Sequence, residues 1–383
     1  MIVKDYKAFM NIIRDIENRS EFRVLNLNDW AFQSLNGDND AEAVLTNRFG
    51  EKLQLNAYKM YMQRIGLDCP SLIDGAFVKN HRERLEDLIN SVIESNEYGD
   101  REPFLSMAYL HGDNIVACHS KDYRPLEISE LIEQLKESLE KRYEKVEFFD
   151  GSYCDDFTIV DFVIRDRQVI RALEHVVSGG AKYYDAALSV RLVTSNLGLS
   201  GANLYPLFLF KTTPEQSAYS ILPATEKRIV LEHKGDANIE KFAKNCEKMF
   251  GLIEFLPQNI AALNGMIVHY PTHCLINVAE KVGIPAKYVR PVAEDVAFLY
   301  QGCEPTAKEI YMYLAQVIDA PTNAVERMQI TEKVGRGIRL MREHLDEVDI
   351  PKIKWKRLGV LCDEGQDLIP DSDEQFSLFQ EVA

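Results

Sequence analysis

Tyr183 to Thr212, YYDAALSVRLVTSNLGLSGANLYPLFLFKT, carries the densest strand-type patterning in this 383-residue chain. Tyr184, Ala186, Leu188, Val190, Leu192 and Thr194 occupy the even positions of its first half, while Asp185, Ser189 and Arg191 stand among the odd ones. Period-2 alternation of this kind predicts a strand with one face on a core and the other turned to solvent or ligand. Leu204 to Phe210 is almost wholly apolar and predicts a more deeply buried strand. The connection TSNLGLSGAN contains Gly198 and Gly201, which admit backbone conformations that other residues avoid. The fold is therefore read as strand, glycine-containing loop, strand, with the rest of the chain arranged around that pair.

Working outward, Phe104–Leu110 and Ile115–His119 flank His111-Gly112-Asp113-Asn114, the pattern of a hairpin. Glu127–Tyr143 places Ile128, Leu131, Ile132, Leu135 and Leu139 on one helical face. Lys145–Asp150 and Phe157–Arg165 read as strands, and Arg228–His233 as another. From Asp236 onward the apolar period turns helical: a helix through Phe242 and Met249, then His273–Val282, Ala286–Tyr300, Thr306–Ile318 and Asn323–Leu345. The resulting fold class is α+β: a mixed, mainly antiparallel sheet with flanking helices, followed by a helical C-terminal region. Four segments are expected: a mostly helical 1–100, a central α+β sheet region 101–235, a helical region 236–346, and a basic segment with an acidic tail, 347–383. Two helix ends echo one another, Lys59–Leu67 and Ile276–Ile284, each closing with a basic residue, an aliphatic one, glycine and another aliphatic one.

Composition is that of an ordinary globular chain, and no apolar run approaches the roughly 18–20 residues that cross a bilayer. The opening helix is interrupted by charges and does not read as a signal peptide, which points to a cytoplasmic location without membrane attachment. The seven cysteines are scattered and none forms CxxC, as expected of buried free thiols. The net charge of −16 argues against a surface that grips nucleic acid all round. Seven of the acids lie between Asp363 and Glu381, a stretch with no basic residue.

Four further stretches bear on identity: LNAYKMYMQRIGLDCPSLI from Leu55, CHSKDYRPLEISELIEQL from Cys118, EFFDGSYCDDFTIVDFVI from Glu147, and LSVRLVTSNLGLSGAN from Leu188. Their order resembles the phage/plasmid-like proteins, a domain of unknown function carried by phages, prophages and plasmids. The likeness runs roughly from Leu53 to Leu345. The chain departs from that family in having TSNLGLSGAN where a cysteine-containing segment is commoner. The resemblance implies a mobile-element setting, hence nucleic-acid metabolism or interference with host defence, and assigns no reaction.

Motifs of chemistry are few. His269, His273 and Cys274 are close in sequence, but Pro271 breaks the helix that would let the histidines share a metal. No phosphate-binding glycine loop and no nucleophile elbow occurs. No cofactor and no catalytic residue is assigned. Asp155, Asp156 and Asp161 could serve as metal carboxylates of a nuclease, or as a solvated turn beside a strand.

The strongest pattern is basic. Lys352, Lys354, Lys356 and Arg357 surround Trp355, spaced so that cations follow phosphates while the ring stacks on a base. The preceding helix carries Lys333, Arg336, Arg339 and Arg342. Arg191 and Lys211 are expected on the open face of the sheet. The leading reading is a non-enzymatic, oligomerising protein that binds nucleic acid, single strands above all, in support of annealing or DNA recombination. The alternative is a protein-binding module, either a phage structural or assembly component or an acidic inhibitor of a host defence complex. There the tail, with Ile369, Phe376, Leu378 and Phe379 among its acids, docks on a host or phage partner.

Overall fold

The computed structural model describes residues 2–34, 43–69, 72, 82–98, 102–154, 157–178, 183–216, 218–223 and 225–351. In chain order the elements begin with β1 (Ile2–Val3), α1 (Tyr6–Asn18), β2 (Ser20–Asn26), β3 (Trp30–Ser34), β4 (Ala43–Asn47), β5 (Lys52–Leu55), α2 (Tyr58–Arg64) and α3 (Arg82–Tyr98). The middle of the chain gives β6 (Leu105–His111), β7 (Asn114–Ser120), α4 (Ile128–Arg142), β8 (Val146–Tyr153), β9 (Thr158–Ile164), α5 (Arg167–Ser178), β10 (Asp185–Thr194), β11 (Ala202–Lys211), β12 (Ser220–Pro223) and β13 (Ile229–Leu231). The remainder is helical: α6 (Ile239–Ala261), α7 (Pro271–Val282), α8 (Ala286–Leu299), α9 (Ala307–Gln316), α10 (Ala324–Glu343) and α11 (Leu345–Val348).

The strands form two sheets. One runs β1-β8-β9-β10-β11-β12, with β13 also on β11; the other runs β2-β6-β7-β5-β4-β3. All pairings are antiparallel except β5 with β7. The fold class read from the sequence, α+β with a helical C-terminal region, is the one observed. The pair quoted at the outset forms the middle of the first sheet, with Val190 opposite Pro206 and Leu188 opposite Phe208.

Residues 1–100, expected to be mostly helical, hold α1, α2 and α3 and also short strands. They supply β1 to the first sheet and β2–β5 to the second, where β2 and β5 pair with β6 and β7. A boundary at residue 100 thus falls within a sheet. These strands are short, and β2 and β5 meet partners far along the chain.

Each sheet has its own core. The even residues of β9–β11, including Val160, Phe162, Leu188, Val190, Leu192, Leu204 and Phe208, pack with helices α1, α4, α5 and α6, and the apolar cluster continues through α7–α10. A fully buried side chain of this size stabilises by roughly 1.5–3 kcal/mol. The second core joins Phe32, Leu45, Leu53 and Leu110 to Tyr61 and Met62 of α2 and Ile89 of α3. Between the two sheets lies a run of stacked rings, Tyr109–Phe22–Tyr123, with His119 and His233 also stacked on Tyr123. Among the described residues no helix is long and apolar enough to cross a membrane.

A candidate anion groove on the sheet edge

The groove starts from an interruption in strand pairing. On its outer edge β11 pairs with β13 through Ala202–Leu204 and with β12 through Leu207–Phe210. Tyr205 and Pro206 fall between the two. Proline has no N–H to offer a ladder, so a position without an outer neighbour suits it. The gap opens toward α10 as a cavity of about 230 Å³ lined by Tyr205, Lys227, Arg228, Glu332 and Arg336 among others. Asn323 starts α10 by accepting from the N–H groups of Val325 and Glu326. Gly335 lets the helix pass close by: a Cβ there would lie 2.9 Å from the Thr225 carbonyl oxygen.

A second cavity, about 490 Å³, adjoins the first, because Arg228 lines both. Its wall brings Arg64 of α2, His119 of β7, Tyr123, the Gly198–Gly201 connection, Asn203 of β11 and Lys234 together at the seam between the sheets. The two cavities, which share Arg228, flank β13 and the unpaired Tyr205–Pro206 step of β11, and are together called the groove. Lys234 pairs with Glu232 at its side, and Arg228 with Glu332. Arg64, Lys227 and Arg336 line the groove with no ion pair among the described residues.

Beneath the groove a charged row crosses four strands: Asp150 opposite Asp161, Asp161 opposite Arg191, and Arg191 opposite Tyr205. The Arg191 guanidinium donates to both Asp161 oxygens, Nε at 2.9 Å and Nη2 at 2.7 Å, with only 11% and 6% of the two side chains exposed. The row continues through the Tyr205 hydroxyl, which donates to Glu332, where Arg228 also bonds. Burial, and then the Glu332 hydrogen bond, raises the Tyr205 phenol above its ordinary range.

Asp150 owes its place to a β-bulge: the register shifts between Phe148 and Asp150, leaving Phe149 as the extra residue. Phe148 points into the core toward Tyr6 and Phe162. Gly151, again on the core side, sits so close to the Phe9 ring that a Cβ would approach it to 2.7 Å. Burial first, and then the Asp161 charge, pushes the Asp150 carboxyl up to about 6.

At the other end of the groove, His119 Nε2 donates to the Asn196 carbonyl at 2.8 Å, which leaves Nδ1 as the bare nitrogen of a neutral ring. Burial lowers its pKa to about 4. His233, also lowered by burial, lies near the Thr194 hydroxyl and the Arg124 carbonyl.

Of the basic residues singled out in the sequence, Arg336 lines the groove and Arg339 follows it on α10, where it meets Glu226 and Glu343. Arg191 is buried and engaged by Asp161. Lys211 ends β11 over the Tyr219 ring, 4.9 Å from its centre and, at about 3.3 Å per residue, roughly 20 Å from Tyr205. Lys352, Lys354, Trp355, Lys356 and Arg357 lie outside the described residues, as do Asp155 and Asp156. Asp161, the third acid of the nuclease alternative, holds Arg191 instead of an open face. His269 precedes α7 and pairs with Glu304, while His273 is buried within that helix; no cluster of metal-ligating residues occurs among the described residues. Arg64, Tyr123, Asn203, Lys227 and Arg228 carried no signal in the sequence, since they converge from separate segments. In comparisons with protein-family models, curated proteins and solved structures, the chain finds no match in any of the three.

Proposed function

We propose that this protein binds single-stranded nucleic acid along the groove, without itself catalysing a reaction. The observation that carries the reading is the presence of Arg64, Lys227 and Arg336, without an ion pair among the described residues, on the walls of two cavities that share Arg228, in a chain with net charge −16. On an acidic protein a phosphate chain must be held locally, and unpaired cations attract it without first breaking an ion pair. The resemblance to phage/plasmid-like proteins and the basic segment around Trp355 support the same reading. Annealing or recombination support is its concrete form.

The test is binding of labelled single-stranded DNA, duplex DNA and RNA by the full chain across a salt series. Affinity is expected to fall steeply with salt and to be greatest for single strands. The double variant Lys227→Ala/Arg336→Ala should flatten the logarithmic salt slope by about 1.4, two phosphate contacts at roughly 0.7 each. Absence of binding at low salt would sink the proposal and favour the protein-partner alternative, to be pursued by co-purification.

A further inference from the structure

Away from the groove, a cavity of about 450 Å³ opens between the β12 edge of the first sheet, the end of β11 and helix α9. A cavity of that size holds a small ligand. Glu309, Met312, Tyr313 and Gln316 follow the i, i+3, i+4, i+7 spacing of one helical face and all line it, while Ile310, Tyr311 and Leu314 are buried in the core. The half-buried Tyr313 and Tyr300 set their rings at 88° with centres 5.8 Å apart, so that two aromatic walls meet at a right angle. Glu309 lies beside that corner: burial first, and then the Glu309 charge, pushes the Tyr300 phenol up to about 12. The capping box of α9 holds this carboxylate in place, Oε2 accepting from the Thr306 N–H at 2.7 Å and from its hydroxyl at 2.8 Å. Asp319, exposed, closes the turn after α9 and lines the same cavity. It stands ten residues beyond Glu309, about 15 Å at a helical rise. Ile221 and Met312, both half-buried, give the cavity apolar wall. Among the described residues no Lys, Arg or His lines it. The cation whose charge reaches Asp319, Arg327, donates Nη2 to the Pro321 carbonyl at 3.1 Å.

We propose that this cavity binds a linear polyamine, one ammonium in the corner of Tyr300, Tyr313 and Glu309, the methylenes along Ile221 and Met312, and a second ammonium at Asp319. The inference is independent of the groove. Aromatic walls attract a cation through the negative face of the ring, and an ammonium donates to a carboxylate in a charge-assisted hydrogen bond. An anion finds no donor cation on these walls and meets two carboxylates. A neutral apolar ligand would leave both carboxylates without a partner. Carboxylates set so far apart along one wall suit an elongated dication, whereas a compact metal ion reaches only one of them.

The experiment is calorimetric titration of the full chain with spermidine, hexylamine and magnesium ion. We expect spermidine to bind at one equivalent, about tenfold tighter than hexylamine, which carries a single ammonium. Magnesium in excess should leave that binding in place. Asp319→Asn should weaken spermidine by roughly tenfold and hexylamine hardly at all, since the single ammonium takes the aromatic corner. Tyr313→Leu should weaken both by roughly threefold. Asp319→Asn should melt with the parent protein, because its side chain gives up no hydrogen bond among the described residues, so that its effect reads binding. Spermidine taken up at many weak sites and displaced by magnesium would mean that the acidic surface attracts any cation, and would overturn the proposal. Equal affinity for spermidine and hexylamine, or unchanged spermidine affinity in Asp319→Asn, would overturn it too.

Discussion

The two faces of the first sheet are built from alternate residues of the same strands and held by different physics. On one face Val160, Phe162, Leu188, Val190, Leu204 and Phe208 are buried with nothing to satisfy but volume. On the other, Asp161, Ser189 and Arg191 are almost as buried, set between two small apolar clusters (Ile159, Val193 and Met328; Val163, Ala187 and Leu209), and each polar group there needs a named partner. Apolar packing is non-directional and tolerates adjustment, whereas in the charged row one missing member strands the next.

Single deletions should be costly on both faces, and double substitutions should separate them. Phe208→Ala is expected to destabilise by about 3–5 kcal/mol through the cavity it leaves, read by urea unfolding. Arg191→Ala should cost about 3–5 kcal/mol by leaving Asp161 buried beside Asp150 without its counter-charge. Replacing both partners, Asp161→Leu with Arg191→Met, should then recover most of that loss. No second truncation on the apolar face should rescue Phe208→Ala. If the double variant remained as unstable as Arg191→Ala, the row would be worth more than its pairings.

Acidity gives a smaller effect and separates the row from the ring stack. His119, with its pKa lowered from 6.5 to about 4, refuses a proton that the unfolded chain accepts, so stability should fall as the pH drops through that window. A shift of that size corresponds to about 3 kcal/mol at most. His233 shifts in the same direction. Asp150, raised from 3.8 to about 6, works oppositely: the fold keeps a proton that the unfolded chain has released, so acidification through that range favours the fold. Asp150→Asn should therefore steepen the acid loss, as seen in melting curves from pH about 7 to about 4. An unchanged profile would mean that Asp150 does not titrate in this range. Smallest of all, Arg336→Ala should change stability by less than about 0.5 kcal/mol, as expected of an exposed side chain with no ion pair among the described residues.

The central hairpin β10–β11, the β6–β7 hairpin and the long helices were legible because their signals are local: alternation, a turn sequence, a helical stripe. Helix stops were legible too. Gly66 and Gly283 both adopt positive φ, and Leu67 N–H to Met62 O repeats as Ile284 N–H to Ala279 O. The shared letters record this common stop chemistry, while α2 packs on β7 and α7 packs among helices. What escaped was non-local. Arg191 reads as an outward cation in an alternating strand, and only the register with β9 shows Asp161 beside it. Arg64, Asn203 and Lys227 are unremarkable in their own segments, α2, β11 and the turn before β13, and only the fold sets them on the walls of two adjoining cavities.

The bulge in β8 has a bearing on how this strand can change length. In a regular strand, losing one residue turns every later side chain to the opposite face. At position 149 the reverse holds, because the extra residue is the one that the partner strand does not match. A chain lacking Phe149 alone would keep Phe148 toward Phe162, Asp150 toward Asp161 and Gly151 beneath Phe9, and would forfeit the Phe149 contact with Tyr219. Position 149 is thus a place where a one-residue deletion leaves both faces of the strand as they are.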